Sequence, residues 1–74
     1  MPADRVIARR RAIGDRIRAA RLYANFSQEQ VALRAGIRIA TYSNIEQGHA
    51  SPRIDTLIRI AEAIGVPLAD LVRE

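Results

Sequence analysis

The chain has 74 residues, 49% hydrophobic and 27% charged, the composition of one small folded domain rather than a disordered segment. It contains no cysteine and a single histidine, which excludes disulfides and thiolate metal sites and makes a protein-only metal site improbable. No apolar run approaches the roughly 20 residues that span a bilayer, and the basic N-terminus lacks the apolar stretch of a signal peptide. We therefore expect a cytoplasmic protein with no membrane partner, no cofactor and no evident small-molecule ligand.

Positive charge is concentrated at the N-terminus. Residues 1–21 have seven Arg against two Asp, a local net charge of +5. The rest of the chain has five Arg against six acidic residues, so the formal net charge of the whole chain is +4. A basic segment on a compact domain suits a polyanionic partner, although a solvated, mobile arm would have the same composition.

The first predicted helix begins near residue 4 or residue 11 and ends at Ala24. Ile13, Ile17 and Ala20 recur at helical spacing and form one apolar face. Asn25 follows and tolerates the left-handed conformation that ends a helix. The chain thus divides into a basic arm or helix extension, residues 1–12, and a folded domain, residues 13–74.

The second predicted helix has three start signals. Ser27 is an N-cap residue, and Gln30 stands three positions later, which together predict a capping box. Phe26 before the cap and Val31 have the spacing of a hydrophobic staple. The helix is predicted to end at Gly36, which adopts positive φ without steric cost.

Three more helices are predicted in the second half of the chain. The third covers residues 38–47, with Tyr42 and Ile45 facing inward, and the fourth covers residues 53–64. The fourth has an amphipathic stripe, and a short fifth helix follows Pro67. Its apolar residues are Leu68, Leu71 and Val72.

Residues 28–47 have the pattern of two helices that cross closely through a tight turn. Ala32 is small enough for a close crossing, and Gly36 supplies the positive φ that the turn needs. Ile37, Tyr42 and Ile45 then fill the space between the two helices and the core. This pattern is typical of a helix-turn-helix formed by helices 2 and 3.

The sequence resembles the Cro and lambda-repressor-like domains, also called the xenobiotic-response-element family. The resemblance covers nearly the whole chain after residue 12. It is carried by IGDRIRAAR (13–21), SQEQVALRAGI (27–37), TYSNIEQG (41–48), SP (51–52), TLIRIAEAIGV (56–66) and LADLV (68–72). It implies an all-α, compact five-helix bundle that binds double-stranded DNA with its third helix in the major groove. It also implies a protein of bacterial or phage type that is associated with the nucleoid through DNA binding.

The resemblance also implies roles for single residues. Gln28, just after the cap of the second helix, would contact the DNA backbone, and Glu46 would pair with Arg21 of the first helix. Base contacts would come from the early and middle third helix, with Asn44 the main polar reader since it can pair bidentately with adenine. The matching positions for base contacts are Arg38, Ile39, Ala40, Ser43 and Asn44; those for backbone contacts are Gln28, Thr41, Tyr42, His49 and Arg53.

The chain departs from the family at two helix starts. Arg38 and Arg53 stand where a capping Ser or Thr is usual, which weakens capping by roughly 1 kcal/mol each. A positive head near a helix N-terminus is also unfavourable for the dipole. Phosphate binding would offset both effects, so we interpret these two Arg as DNA contacts; an ordinary surface Arg is the alternative.

The function predicted from these features is sequence-specific regulation of transcription, by a homodimer on a near-palindromic site. Leu68, Leu71 and Val72 exceed what so small a core can hide, so some of this surface, with neighbouring parts of the fourth helix, is expected to form a two-fold dimer interface. An antitoxin or accessory subunit whose main partner is a protein is the alternative, and a neighbouring toxin gene would favour it. An enzyme is not expected, because no nucleophile–base pair, phosphate loop or metal cluster is recognisable.

Overall fold

The first helix, α1 (Pro2–Tyr23), is the longest element of the computed structural model, which describes residues 2–74. It includes residues 2–12, so this basic segment is the first half of one continuous helix. The chain turns at Asn25, whose φ of +63° is the left-handed conformation predicted for this residue.

Four shorter helices follow: α2 (Gln28–Ala35), α3 (Ile39–Glu46), α4 (Ile54–Ile64) and α5 (Leu68–Val72). Residues 2–74 contain no strand, so the predicted all-α, five-helix fold is confirmed. None of these helices is both long and apolar enough to cross a membrane.

The start of α2 has the predicted capping box. The backbone N–H of Gln30 donates to Oγ of Ser27 at 3.0 Å, and the backbone N–H of Ser27 donates to Oε1 of Gln30 at 2.8 Å. At the other end, Gly36 has a φ of +72°. The capping box fixes where α2 begins, and the left-handed Gly36 fixes where it ends and where the turn into α3 starts.

The core lies where α1 and α2 pack on α3, α4 and α5. Arg34 of α2 donates from Nε to the carbonyl oxygen of Ala63 in α4 at 2.9 Å, and its guanidinium lies over the ring of Phe26. The fully buried large side chains come from all five helices and are Ile17, Val31, Tyr42, Ile60 and Leu71.

Leu71 corrects the predicted dimer interface. Its side chain is 0% exposed and belongs to the core, so it is not available to a second copy. The reason is the long α1, which packs against α5: Nη2 of Arg9 donates to the carbonyl oxygen of Val72 at 2.8 Å. Leu68 and Val72 are half-buried and pack on the same core.

Gly14 lets α1 and α3 approach each other. A Cβ at this position would lie 2.5 Å from the carbonyl oxygen of Glu46 and 2.7 Å from that of Ile45. We expect Gly14→Ala to destabilise the fold by about 1–3 kcal/mol, because backbone atoms cannot swing aside as a side chain can. Urea unfolding followed by far-UV circular dichroism measures this loss.

The control for Gly14→Ala is Ala19→Gly, at an exposed position of the same helix. It should lose about 1 kcal/mol through helix propensity alone. Since propensity favours Ala over Gly, a Gly14→Ala variant that is more stable than the parent chain would contradict the close approach of α1 to α3.

Candidate nucleic-acid interface

One side of α3 faces the core and the other faces solvent. Tyr42, Ile45 and Glu46 are buried, because positions i, i+3 and i+4 share one face of a helix. The outward side has no acidic residue, since the only carboxylate of α3 is the buried Glu46. The exposed residues in and beside α3 are Arg38, Ile39, Ala40, Thr41, Asn44 and Gln47, and Ser43 is half-buried.

Gln47 belongs to this outward face and was not among the residues predicted to contact DNA. It lies three residues after Asn44 and four after Ser43, and its Nε2 donates to Oγ of Ser43 at 3.0 Å. The spacing from Ala40 through Asn44 to Gln47 could have identified it, because these positions repeat at helical period on the side opposite Tyr42. The outward face therefore offers two amides rather than one.

The N-termini of α3 and α4 both lack a side-chain cap. Arg38 and Arg53 are the N-cap residues, with extended backbone and no capping hydrogen bond. The first N–H groups of a helix never have an intrahelical partner, and here they also lack a side-chain acceptor. They carry the positive end of the helix dipole. Both Arg side chains are exposed beside these amides, an arrangement that suits a phosphate group.

A buried ion pair ties α1 to the end of α3. Nε of Arg21 donates to Oε2 of Glu46 at 2.6 Å, and Nη2 donates to Oε1 at 3.2 Å. Arg21 is 8% exposed and Glu46 is 4% exposed, so this is the buried form of the pair predicted from the sequence. Nη1 of Arg21 also donates to the carbonyl oxygen of Phe26 at 2.9 Å.

The same pair holds Gln28 at the start of α2. Nε2 of Gln28 donates to Oε1 of Glu46 at 3.0 Å, and the Gln28 side chain is half-buried. An amide nitrogen has two N–H groups, so one is left for a ligand in front of α2. Glu46 thereby fixes where Gln28 stands relative to α3.

The ionisation of Glu46 follows from these contacts. Burial by itself would raise the pKa of this carboxyl, but the polar groups around it, first Arg21 and then Tyr42 and Gln28, together outweigh burial and lower it below its ordinary value. The Arg21 pKa is raised, mainly by its hydrogen bond to Glu46. The pair is therefore charged at neutral pH.

Tyr42 corrects a predicted backbone contact. Its side chain is 0% exposed, and its hydroxyl is buried with no hydrogen-bond partner within residues 2–74. The ring was expected in the core, but the hydroxyl was expected near the interface edge and instead lies under α3. Burial raises the pKa of this hydroxyl, and the carboxylate of Glu46 raises it further.

The remaining predicted backbone contacts are accessible. Thr41, His49 and Arg53 are exposed, and Arg53 lies directly before α4. The structure thus brings together an outward face of α3, two uncapped helix starts and a half-buried Gln28. It removes Tyr42 from the surface.

Comparison with known proteins was made on the sequence and on the fold. A helix-turn-helix family model, HTH_3, matches residues 17–71. The chain is 37% identical over 59 residues to the cryptic phage CTXphi transcriptional repressor RstR of Vibrio cholerae, covering 80% of this chain and 53% of the repressor. It is 32% identical over 63 residues to the uncharacterized HTH-type transcriptional regulator y4dJ of Sinorhizobium fredii, covering 85% of this chain and 82% of that protein. The chain thus spans about half the length of the RstR repressor.

Two solved structures share the fold. The restriction-modification controller protein C.AhdI from Aeromonas hydrophila superposes with a TM-score of 0.85 at 23% identity, over 86% of this chain and 97% of that one. The clp gene regulator ClgR from C. glutamicum superposes with a TM-score of 0.81 at 22% identity, over 85% of this chain and 82% of that one. At these identities the likeness concerns the fold alone.

Proposed function

This chain belongs to the helix-turn-helix family HTH_3, and from that premise we propose that it is a sequence-specific regulator of transcription that binds double-stranded DNA. The observation that carries the proposal is the outward face of α3. That face lacks acidic residues and offers short polar and apolar side chains, with an exposed Arg at the uncapped start of α3 and another at the start of α4. A helix of this kind fits the major groove of B-DNA.

Base readout in this proposal is divided between amides and apolar contacts. Asn44 is exposed on the outward face and pairs with adenine, which presents an acceptor and a donor in the major groove. Ile39 and Ala40 contact thymine methyl groups, while Arg38 and Ser43 reach a neighbouring base. Gln47 joins this set because it lies one helical turn beyond Ser43 on the same side of α3.

Backbone contacts position the protein without reading sequence. Gln28 uses its second amide N–H, and Arg53 lies beside the uncapped amides of α4, so both address phosphates in front of helix starts. Thr41 and His49 are exposed beside these groups and complete the proposed set.

We expect Asn44→Ala to weaken binding to the best site by about 1–3 kcal/mol and to relax preference at one base pair of each half-site. The reason is the loss of a bidentate pair to one base, with no change in charge. The best site is obtained first by selection from a random DNA pool. The variant is then measured on a panel of single-base variants of that site.

Thr41→Ala is the matched comparison for Asn44→Ala, since it is also an exposed polar residue of α3. It should weaken all sites about equally, as expected for a backbone contact. A uniform loss in Asn44→Ala would instead make Asn44 a backbone contact and move base reading to Arg38 and Gln47. No loss at all would mean that α3 does not lie in the groove.

Assembly as a homodimer is part of the proposal, with the interface on α4, which was predicted to share it, and without the buried Leu71. Ile54 and Ile58 of α4 are 70% and 39% exposed and lie one turn apart on one side of the helix. Large apolar residues exposed together are typical of a contact surface. Leu68 and Val72, half-buried on α5, remain candidates for its edge.

We expect Ile58→Glu to shift the chain from dimer to monomer, because two buried carboxylates would oppose each other across a two-fold axis. Sedimentation equilibrium with and without DNA measures the mass. Leu33→Glu is the control, since Leu33 is 83% exposed on α2 and should leave the mass unchanged. A parent chain that is monomeric at high concentration, free and on DNA, would contradict the dimer.

A further inference from the structure

A surface groove of about 530 Å³ lies between the first half of α1 and the segment that joins α3 to α4. Its floor is apolar and includes Val6 and Ile13 of α1, Ile45 of α3 and Leu57 of α4. This volume is in the range of small-molecule sites, roughly 300–1,000 Å³, which are mostly apolar with a few polar groups. No such site was expected from the sequence, because the groove combines residues far apart in the chain.

The α1 wall of the groove lies before the region that the family model matches. Val6 and Ile13 precede residue 17, where the family match begins. Val6 continues the stripe of Ile13 and Ile17 at helical spacing. Ile17 is 0% exposed, whereas Val6 is 64% exposed. The other described helices therefore cover this apolar stripe at Ile17 but leave it open to solvent at Val6.

The rim of the groove is positively charged. Arg5, Arg9 and Arg10 line it, and no carboxylate is among its lining residues in the described chain. Arg9 donates to the carbonyl oxygen of Val72 and pairs with Glu74 at 3.3 Å, and Nε of Arg10 donates to the carbonyl oxygen of Gly48 at 2.8 Å. Arg5 is exposed, and its side chain has no hydrogen bond or ion pair within residues 2–74.

The dimensions of the groove favour a small molecule over a protein segment. The α1 wall from Arg5 to Ile13 is nine residues long, about 13 Å in a helix. A stable protein partner needs about 800 Å² on each side, more than so short a wall provides. A molecule with one anionic group and a hydrocarbon body of this length matches both the rim and the floor.

We propose that this groove binds an amphiphilic carboxylate of medium chain length. Its hydrocarbon chain lies on Val6, Ile13 and Leu57. Its carboxylate lies at the guanidinium group of Arg5, next to Arg9, which is already paired with Glu74. This site does not include the outward face of α3, but its lining segment, residues 50–52, joins the proposed phosphate contacts His49 and Arg53.

The test uses decanoate, below its micellar concentration, titrated into the full chain at pH 7. Methyl and Arg Nε resonances are followed by NMR. We expect saturable shifts confined to Val6, Ile13 and Leu57 and to Arg5 and Arg9. Decanol, which lacks the charge, and acetate, which lacks the hydrocarbon chain, should bind at least several-fold more weakly.

Two variants at exposed positions test the two halves of the site without disturbing the fold. Val6→Gln should weaken decanoate binding about fivefold by removing apolar surface that the ligand covers. Arg5→Gln should weaken it about threefold, the size of an exposed ion pair. Leu33→Gln and Arg18→Gln are the matched controls, exposed residues outside the groove lining that should bind decanoate as the parent chain does.

Three results would overturn the proposal. The first is an absence of saturable shifts at the groove. The second is equal affinity for decanol and decanoate, or equal affinity of all four variants. The third is a concentration-dependent shift of the same methyl groups without ligand, which would assign the groove to a second copy of the chain.

Discussion

Replacing Glu46 with Ala is expected to lower the free energy of unfolding by about 3–5 kcal/mol at neutral pH. The substitution leaves the guanidinium of Arg21, 8% exposed, in the interior without its carboxylate. It also removes the acceptor that holds Gln28. A domain of this size has a total stability of about 4–11 kcal/mol, so the variant should lose a large part of it.

Urea unfolding followed by far-UV circular dichroism measures the loss, with Glu62→Ala as the matched control. Glu62 is an exposed carboxylate of α4 and should change stability by less than about 0.5 kcal/mol. Tyr42→Phe is a second control, which changes a buried side chain beside the ion pair and leaves both charges in place. It removes only a buried hydroxyl that has no hydrogen-bond partner in the described chain. It should not destabilise.

A double variant, Arg21→Met with Glu46→Leu, distinguishes the cost of leaving one buried charge unpaired from the cost of losing the ion pair itself. Replacing both charges by apolar groups of similar size should cost much less than Glu46→Ala, because no unpaired charge is left buried. A Glu46→Ala variant as stable as Glu62→Ala, or a double variant less stable than the single one, would contradict the buried ion pair.

The contribution of Glu46 should depend on pH in one direction. Its pKa is lowered in the folded chain, so unfolding raises the pKa and takes up protons in acid. The stabilisation is therefore fully present above the ordinary Glu pKa of about 4.3 and is lost as pH falls through the lower, folded value. The difference in stability between the parent chain and Glu46→Ala should shrink over that acidic range.

Features with a local cause could be predicted from the sequence. The capping box of Ser27 and Gln30 needs only four consecutive residues, and both of its hydrogen bonds are present. The left-handed conformations of Gly36 and Asn25 follow from the residue types, because glycine has no Cβ and asparagine tolerates positive φ. The same holds for the inward face of α3, which is set by helical period.

Features that depend on distant parts of the chain could not be predicted. Gly14 looks like an unfavourable residue inside a helix until the carbonyl groups of α3 are placed against it. Leu71 was assigned to the surface because the sequences of α1 and α5 do not show how far α1 covers α5. The depth of the Tyr42 hydroxyl has the same origin, since it depends on how Arg21 and Glu46 fill the space beside it.

The proposed DNA binding should depend steeply on salt. If each protomer neutralises about four phosphates, a dimer neutralises about eight, and the slope of log K against log salt is about −7. Between about 50 and 200 mM salt the affinity for DNA should then fall roughly ten-thousandfold. Arg38 and Arg53, exposed at uncapped helix starts, are the charges placed best to contribute.

Arg53 and Gln28 separate charge from hydrogen bonding in this salt dependence. Arg53→Gln removes one cation per protomer and should flatten the slope by about two units for a dimer, because each lost contact releases about one counterion fewer. Gln28→Ala should weaken binding while leaving the slope nearly unchanged, since an amide displaces no counterion. Both are measured by fluorescence anisotropy on one operator at several salt concentrations. A slope near zero for the parent chain would exclude DNA as the partner, and an unchanged slope in Arg53→Gln would remove Arg53 from the phosphate contacts.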